Sequence, residues 1–233
     1  MSEQRGSAGG GQPGAIVYVL DLVNSAGAVV LVGVLLLAIS GLWPPLVAIE
    51  SASMEPHIDT GDLVFVMDED RFAGDGAHGE TGVVTARVGA ETGHTSFEGP
   101  GDVIVFAPDG DTGMTPVIHR AMFWVEAGEN WYDKANPRYI SADSCSELTN
   151  CPAESSGFVT KGDNNGGYDQ VNGLPSCGQN GCEPVKKTWI VGTAEVRVPL
   201  LGNIRLQIQR ALLAGAWGDV AERPVRASAY SNS

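Results

Sequence analysis

One apolar run separates itself from the rest of the chain. The sequence turns apolar at Ala15, is interrupted by Asp21 and Asn24, and then runs uncharged from Ser25 to Trp43 as SAGAVVLVGVLLLAISGLW. About 19 residues at about 1.5 Å of helical rise approach the thickness of a bilayer's hydrocarbon core. The pattern therefore predicts a transmembrane anchor over residues 15–43. Pro44-Pro45 would stop that helix, and Trp43 stands where an interfacial aromatic belongs. A cleavable signal peptide has a shorter apolar stretch behind a basic cluster, and here Arg5 is the only basic residue ahead of the run. The first basic residue after it is Arg71, behind seven acidic side chains. That bias predicts a single pass of the cell membrane, with the N-terminus cytoplasmic and the bulk of the chain outside.

After the anchor the period changes. Short β-branched and aromatic runs bounded by Gly, Asp and Pro predict strands at 63–66, 82–88, 103–106, 121–125, 157–160 and 189–198. No helical period of useful length returns before Ile204–Trp217, whose first part is amphipathic but too short and charged to span a membrane. The expectation is a mainly β ectodomain over 46–208 behind one N-terminal transmembrane helix. Residues 68–101, acidic and Gly-rich, and 133–156, holding the first cysteine pair, look like insertions into it. Residues 1–14, rich in Gly and Ser, predict a disordered tail, and 209–233 a C-terminal helix and tail.

Charge narrows the partners. The 14 Lys and Arg against 28 Asp and Glu leave a formal net charge of −14. No basic cluster is present to neutralise phosphates, which argues against nucleic acid as a partner. So acidic a surface, nearly free of lysine, suits a medium of very high salt. The four cysteines, Cys145, Cys151, Cys177 and Cys182, fall in one later region. Five and four residues separate neighbours and no histidine lies nearby, which favours disulfides in an oxidising exterior over a zinc site and leaves the pairing open.

Candidate chemistry gathers in three stretches. Ser51-Ala52-Ser53-Met54-Glu55-Pro56 puts two hydroxyls on a turn within about ten residues of the anchor, a reach of no more than about 33 Å. Whatever Ser53 does, it does near a bilayer surface. Serine becomes a nucleophile when a base takes its proton, and the base needs an orienter. Of the four histidines, His57 follows a proline at a turn, and His78 and His94 lie in the Gly-rich insertion. His119 instead sits between two strand-like runs, where a rigid element can hold it. Gly162-Asp163-Asn164-Asn165 and Asp169 supply carboxylates. Each feature has a blander use: a lone strand histidine is commonly structural, and Gly-Asp-Asn-Asn is a turn whose side chains bond their own backbone. A Ca²⁺ loop is a further use of these oxygens, although the spacing and closing glutamate of an EF-hand are missing. With Ser53 and the Asp-rich turn purely structural, the chain would instead be a non-catalytic, membrane-tethered β-domain that binds a surface partner.

Taken in order, three sets of residues resemble the boxes of type I signal peptidase: Ser51 to Pro56; Gly101-Asp102-Val103-Ile104-Val105-Phe106 with Pro116-Val117-Ile118-His119-Arg120; and Thr160-Lys161-Gly162-Asp163-Asn164-Asn165 with Asp169. The likeness runs from the anchor to about Leu206, and Val191-Gly192 followed by Val198-Pro199-Leu200-Leu201-Gly202 is similar to the family's closing strands. Histidine rather than lysine at position 119 resembles the archaeal and endoplasmic-reticulum branch and, with the acidic composition, points to a haloarchaeal source. The resemblance implies a signal-peptidase-like fold and a serine endopeptidase that removes N-terminal signal peptides from exported precursor proteins. Ser53 matches the nucleophile, His119 the base, Asp169 the aspartate on which the histidine branch relies most, and Asp163 a supporting one. Spacing leaves open which carboxylate touches His119. The backbone N–H of Ser53, helped by the Ser51 hydroxyl, matches the oxyanion hole. No cofactor or metal is implied; the partners implied are the precursors, the lipid bilayer and the translocation machinery. Tyr168 departs from the family, where relatives often carry a second acidic residue. A repressor-cleaving autoprotease, with a related core, would need a DNA-binding half and a lysine base, and neither is here.

Overall fold

The computed structural model describes residues 15–174, 177 and 182–202. The expected N-terminal tail, the amphipathic stretch after Ile204 and the C-terminal tail lie outside the described residues. The chain divides into two units between Ile39 and Ser40.

The first unit is helical. Helix α1 spans Ala15–Ser40, and from Ile16 onward its 25 residues are long and apolar enough to cross a membrane. Its apolar side chains, Leu22, Val29 and Leu31 among them, are exposed, which is consistent with a single-pass anchor. The helix stops before the two prolines and three residues short of Trp43. Gly41 takes a left-handed φ of 80°, the backbone that closes helices and that a Cβ disfavours. Ser40, the first residue of the second unit, is fully buried; its hydroxyl donates to Val66 O at 2.7 Å and accepts from the Leu42 N–H at 3.1 Å.

The second unit is organised on a six-stranded antiparallel sheet. In chain order the strands are β1 Leu46–Ala48, β2 Leu63–Met67, then β3 Thr95–Ser96 and β4 Gly99–Pro100 as a separate small hairpin, β5 Val103–Phe106, β6 Val117–Val125, β7 Gly157–Lys161 and β8 Ile190–Val198. The main sheet runs β1-β2-β8-β5-β6-β7, so the last strand among the described residues fills the middle of the sheet. Both faces are covered. Val64, Val66, Val103, Val105 and Ile118 pack with Met54 and Ile58 on one side, and Ile104, Phe106, Ala121 and Phe158 pack with Val83 and Val185 on the other. Covered faces explain why Val103-Ile104-Val105-Phe106 is apolar without alternation.

Two expectations need correction. Residues 82–88 are not a strand: Val83 and Val84 are fully buried in a loop, and helix α2, Ala86–Thr92, begins behind them. The Thr85 hydroxyl accepts the Val88 N–H and caps the helix, a local bond that outweighs the β-branched composition. The label "mainly β" is also too strong. The strands are short, and the 133–156 region consists of loops and single helical turns with no strand, so the unit is an antiparallel sheet embedded in mixed structure.

The inserted regions are fastened to the sheet. In the first, His94 Nε2 meets Asp102 Oδ1 at 2.6 Å while Asp102 Oδ2 accepts the Val84 N–H at 2.7 Å. In the second, Ala135, Leu148 and Ala153 are buried with Phe123, Val125 and Val159. The four cysteines form two disulfides, Cys145–Cys151 and Cys177–Cys182.

Candidate active site

Strand β6 delivers the histidine. Alternation along the strand puts Ile118 and Arg120 on one face and His119 and Ala121 on the other. His119 stands opposite Ile104 on β5, and Arg120 opposite Lys161 on β7. On the His119 side, Thr160 of β7 lies opposite Ala121, and the chain continues into a single helical turn, α3, Asp169–Asn172.

There the structure answers the question that spacing left open: Asp169 touches His119. His119 Nδ1 lies 2.6 Å from Asp169 Oδ2, the side chains being only 3 % and 2 % exposed. The same oxygen accepts the Thr160 hydroxyl at 2.7 Å. An ionised carboxylate can only accept, so Nδ1 carries the proton and Nε2 is the basic edge of the ring. Every fully buried side-chain nitrogen or oxygen among the described residues has a hydrogen-bond partner. Among the described residues Nε2 makes no hydrogen bond, so it is the ring nitrogen left for a further partner.

Asp163 points elsewhere. Arg120 grips it with two hydrogen bonds, Nε to Oδ1 at 2.9 Å and Nη2 to Oδ2 at 2.6 Å, and His57 Nδ1 reaches Oδ2 at 2.7 Å. Arg120 Nη1 donates to the carbonyls of Ser96 and Gly101 at 2.9 and 3.0 Å. Burial pushes the Asp163 carboxyl up, and the bonds and charge of Arg120, with His57 behind them, outweigh it and hold it below the usual carboxylate range.

The serine turn is stitched to this same strip. Ser53 O accepts the Asn164 N–H at 2.8 Å, and Ala52 O accepts Asn164 Nδ2 at 3.1 Å. Gly162 is required for that approach, since a Cβ there would come within 2.6 Å of Ser53 O. Met54 and Ile58, fully buried, root the turn in the core. Ser53 itself is half-buried, with its Oγ 3.1 Å from Ser51 Oγ. Among the described residues no hydrogen bond joins Ser53 to His119, and the Ser53 N–H has no acceptor, which leaves it free to donate to a ligand.

Lys161 is the other buried base candidate, and its geometry disqualifies it. Nζ donates to the carbonyls of Gly162, Asp163 and Asn165 at 2.7, 3.2 and 2.9 Å and sits 4.6 Å from the Tyr139 ring centroid. Burial pushes its pKa down, with Asp163 and Asp169 opposing and Arg120 adding to the depression. Three carbonyls need three N–H donors, so the ammonium form is built into the turn.

The motif positions alone do not single out Thr160, Arg120 and His57 as site residues. Thr160 and Arg120 flank the motif positions, and only the register reveals them. His57 looked like a turn residue because its partner lies more than a hundred positions away. Set against known proteins, the chain matches no family model and has no significant match among curated proteins.

Proposed function

We propose that this chain is a membrane-anchored serine endopeptidase of the type I signal peptidase kind, cutting signal peptides from exported precursors outside the cell membrane. The observation that carries the reading is the buried His119–Asp169 pair, with the Ser53 turn bonded to the loop that joins β7 to the Asp169 turn. Ser53 Oγ attacks the scissile carbonyl carbon while His119 Nε2 takes its proton, and Asp169 holds the tautomer and stabilises the imidazolium. The Ser53 N–H, with the Ser51 hydroxyl beside it, donates to the developing oxyanion, each such donor being worth about 3 kcal/mol. His119 then protonates the leaving amine, the acyl-enzyme forms on Ser53 Oγ, and a water activated by the same Nε2 hydrolyses it. The mechanism requires Ser53 Oγ to exchange its Ser51 partner for His119 Nε2, as catalytic hydrogen bonds commonly tighten in the complex. An apolar helix holding enzyme and precursor at one surface raises their effective concentration.

The test is cleavage of a secreted precursor at high salt by the full chain in liposomes. Ser53→Ala and His119→Ala should each abolish cleavage while leaving the circular dichroism and melting transition in place. Cleavage retained in either folded variant would sink the mechanism.

A further inference from the structure

The helical turn that carries Asp169 is too short to hold itself. α3 has four residues, and an isolated turn spends several dihedrals on one hydrogen bond. Its position is imposed by its neighbours. From β7, the Thr160 N–H donates to Gln170 Oε1 at 2.8 Å, and the Thr160 hydroxyl holds Asp169. On the other side stands Asn150, whose Nδ2 donates to Gln170 O at 2.8 Å and to Cys182 O at 3.0 Å. The Cys182 N–H in turn donates to Asp169 O at 3.3 Å. Asn150 is held by the Trp131 indole N–H on its carbonyl at 2.7 Å, in left-handed backbone with φ 57°. It directly precedes Cys151, bonded to Cys145, while Cys182 is bonded to Cys177. One side-chain amide thus ties both disulfide loops to the residue next to Asp169.

We propose that Asn150, braced by the two disulfide loops, is a positioning residue that keeps Asp169 within hydrogen-bonding distance of His119. Its kinetic consequence rests on the endopeptidase reading; its geometric consequence does not. Without Nδ2, two carbonyls in a largely buried segment lose their donor, and the cheapest repair is for the short turn to shift toward water. Asp169 moves with it. The second inserted region then acts as a brace for the orienter of the base, and its disulfide, Cys145–Cys151, is what makes so small a brace stiff.

Asn150→Gly separates the parts of this argument, because glycine keeps the left-handed backbone and removes only the amide. Cys145→Ser with Cys151→Ser is the second variant: it keeps the amide and loosens its loop. Both are made in the full chain in detergent micelles. Precursor cleavage gives kcat and KM, and the low-field NMR resonance of the proton between His119 and Asp169 reports the pair directly. The expected result for Asn150→Gly is a kcat loss of about tenfold to a hundredfold with KM nearly unchanged. The resonance should broaden or vanish, with the double-serine variant changed in the same direction. Wild-type kcat with an intact resonance overturns the proposal, as does a raised KM with kcat preserved, which would make Asn150 a substrate contact. Should Asn150→Gly not fold, the double-serine variant decides by the same criteria. If the unmodified protein cleaves no precursor, the endopeptidase reading fails, and the resonance alone decides the positioning role.

Discussion

Two histidine–aspartate pairs are joined to β6, one directly through His119 and the other through Arg120, and they differ in what else holds them. In both, a histidine Nδ1 meets a carboxylate oxygen at close range, 2.6 Å for His119–Asp169 and 2.7 Å for His57–Asp163. Asp163 also carries a bidentate guanidinium, whereas Asp169 has the Thr160 hydroxyl and no Lys or Arg ion pair among the described residues. A carboxylate whose charge is already spent on arginine does little to stabilise an imidazolium, but it makes a firm structural joint. The pair without arginine can orient a base; the pair with arginine anchors the serine turn. The distinguishing feature is the third partner, not the distance.

The largest expected effect exploits that contrast. Asp169→Asn should lower kcat by about 10⁴ with little change in stability, because an amide facing Nδ1 invites the wrong tautomer. Asp163→Asn should cost less activity, about tenfold to a hundredfold through displacement of the Ser53 backbone, and far more stability. It leaves the Arg120 guanidinium buried without its counter-charge, a loss of about 3–5 kcal/mol in a denaturant titration. The opposite ordering of the two kcat values would exchange the roles of the carboxylates.

Next in size is the acid limb of stability. Asp163 is held below the ordinary carboxylate value of about 3.9, so between the two values the unfolded chain binds the extra proton and stability rises with pH. The contribution is fully present above about pH 5 and is lost as pH falls through the folded-state value. Arg120→Leu removes the larger lowering influence, and the burial that raises the group is then opposed by His57 alone. The sign then reverses: a raised carboxyl contributes stability only below the ordinary value and loses it as pH climbs. Melting temperatures from pH 3 to 7 should therefore plateau above about pH 5 in the natural chain and decline across that range in the variant. Parallel curves would mean that Arg120 is not what holds Asp163.

How far these pairs could be foreseen follows from the range of the forces involved. The apolar run, most strands and the ordered set of Ser53, His119, Asp163 and Asp169 could be read from the chain, because period and motif are local. The end of α1 at Gly41 and the capped loop at Thr85 were local too, but there glycine and hydroxyl geometry beat the hydrophobic pattern. Spacing could not assign Asp169 rather than Asp163 to His119, although the resemblance favoured Asp169. The assignment depends on a β6–β7 register that puts His119 and Arg120 on opposite faces, so that adjacent residues claim different carboxylates. Cysteine pairing within each neighbouring couple, and the bond from Asn150 to α3, likewise become visible only once the loops are folded onto the sheet.

The smallest effect is the sharpest check on the comparison. His57 is bound to Asp163 and lies close in sequence to Ser53, so proximity alone would make it a rival base. Its side chain is 28 % exposed and its carboxylate is already committed to Arg120, which leaves it a modest share of the joint. His57→Gln keeps an N–H donor for Asp163 Oδ2 and should change kcat by no more than about twofold and stability by less than about 1 kcal/mol. Steady-state kinetics and a denaturant midpoint on one preparation measure both. A loss of activity comparable to that of His119→Ala, with stability intact, would make His57 the base and turn the assignment of the two pairs around.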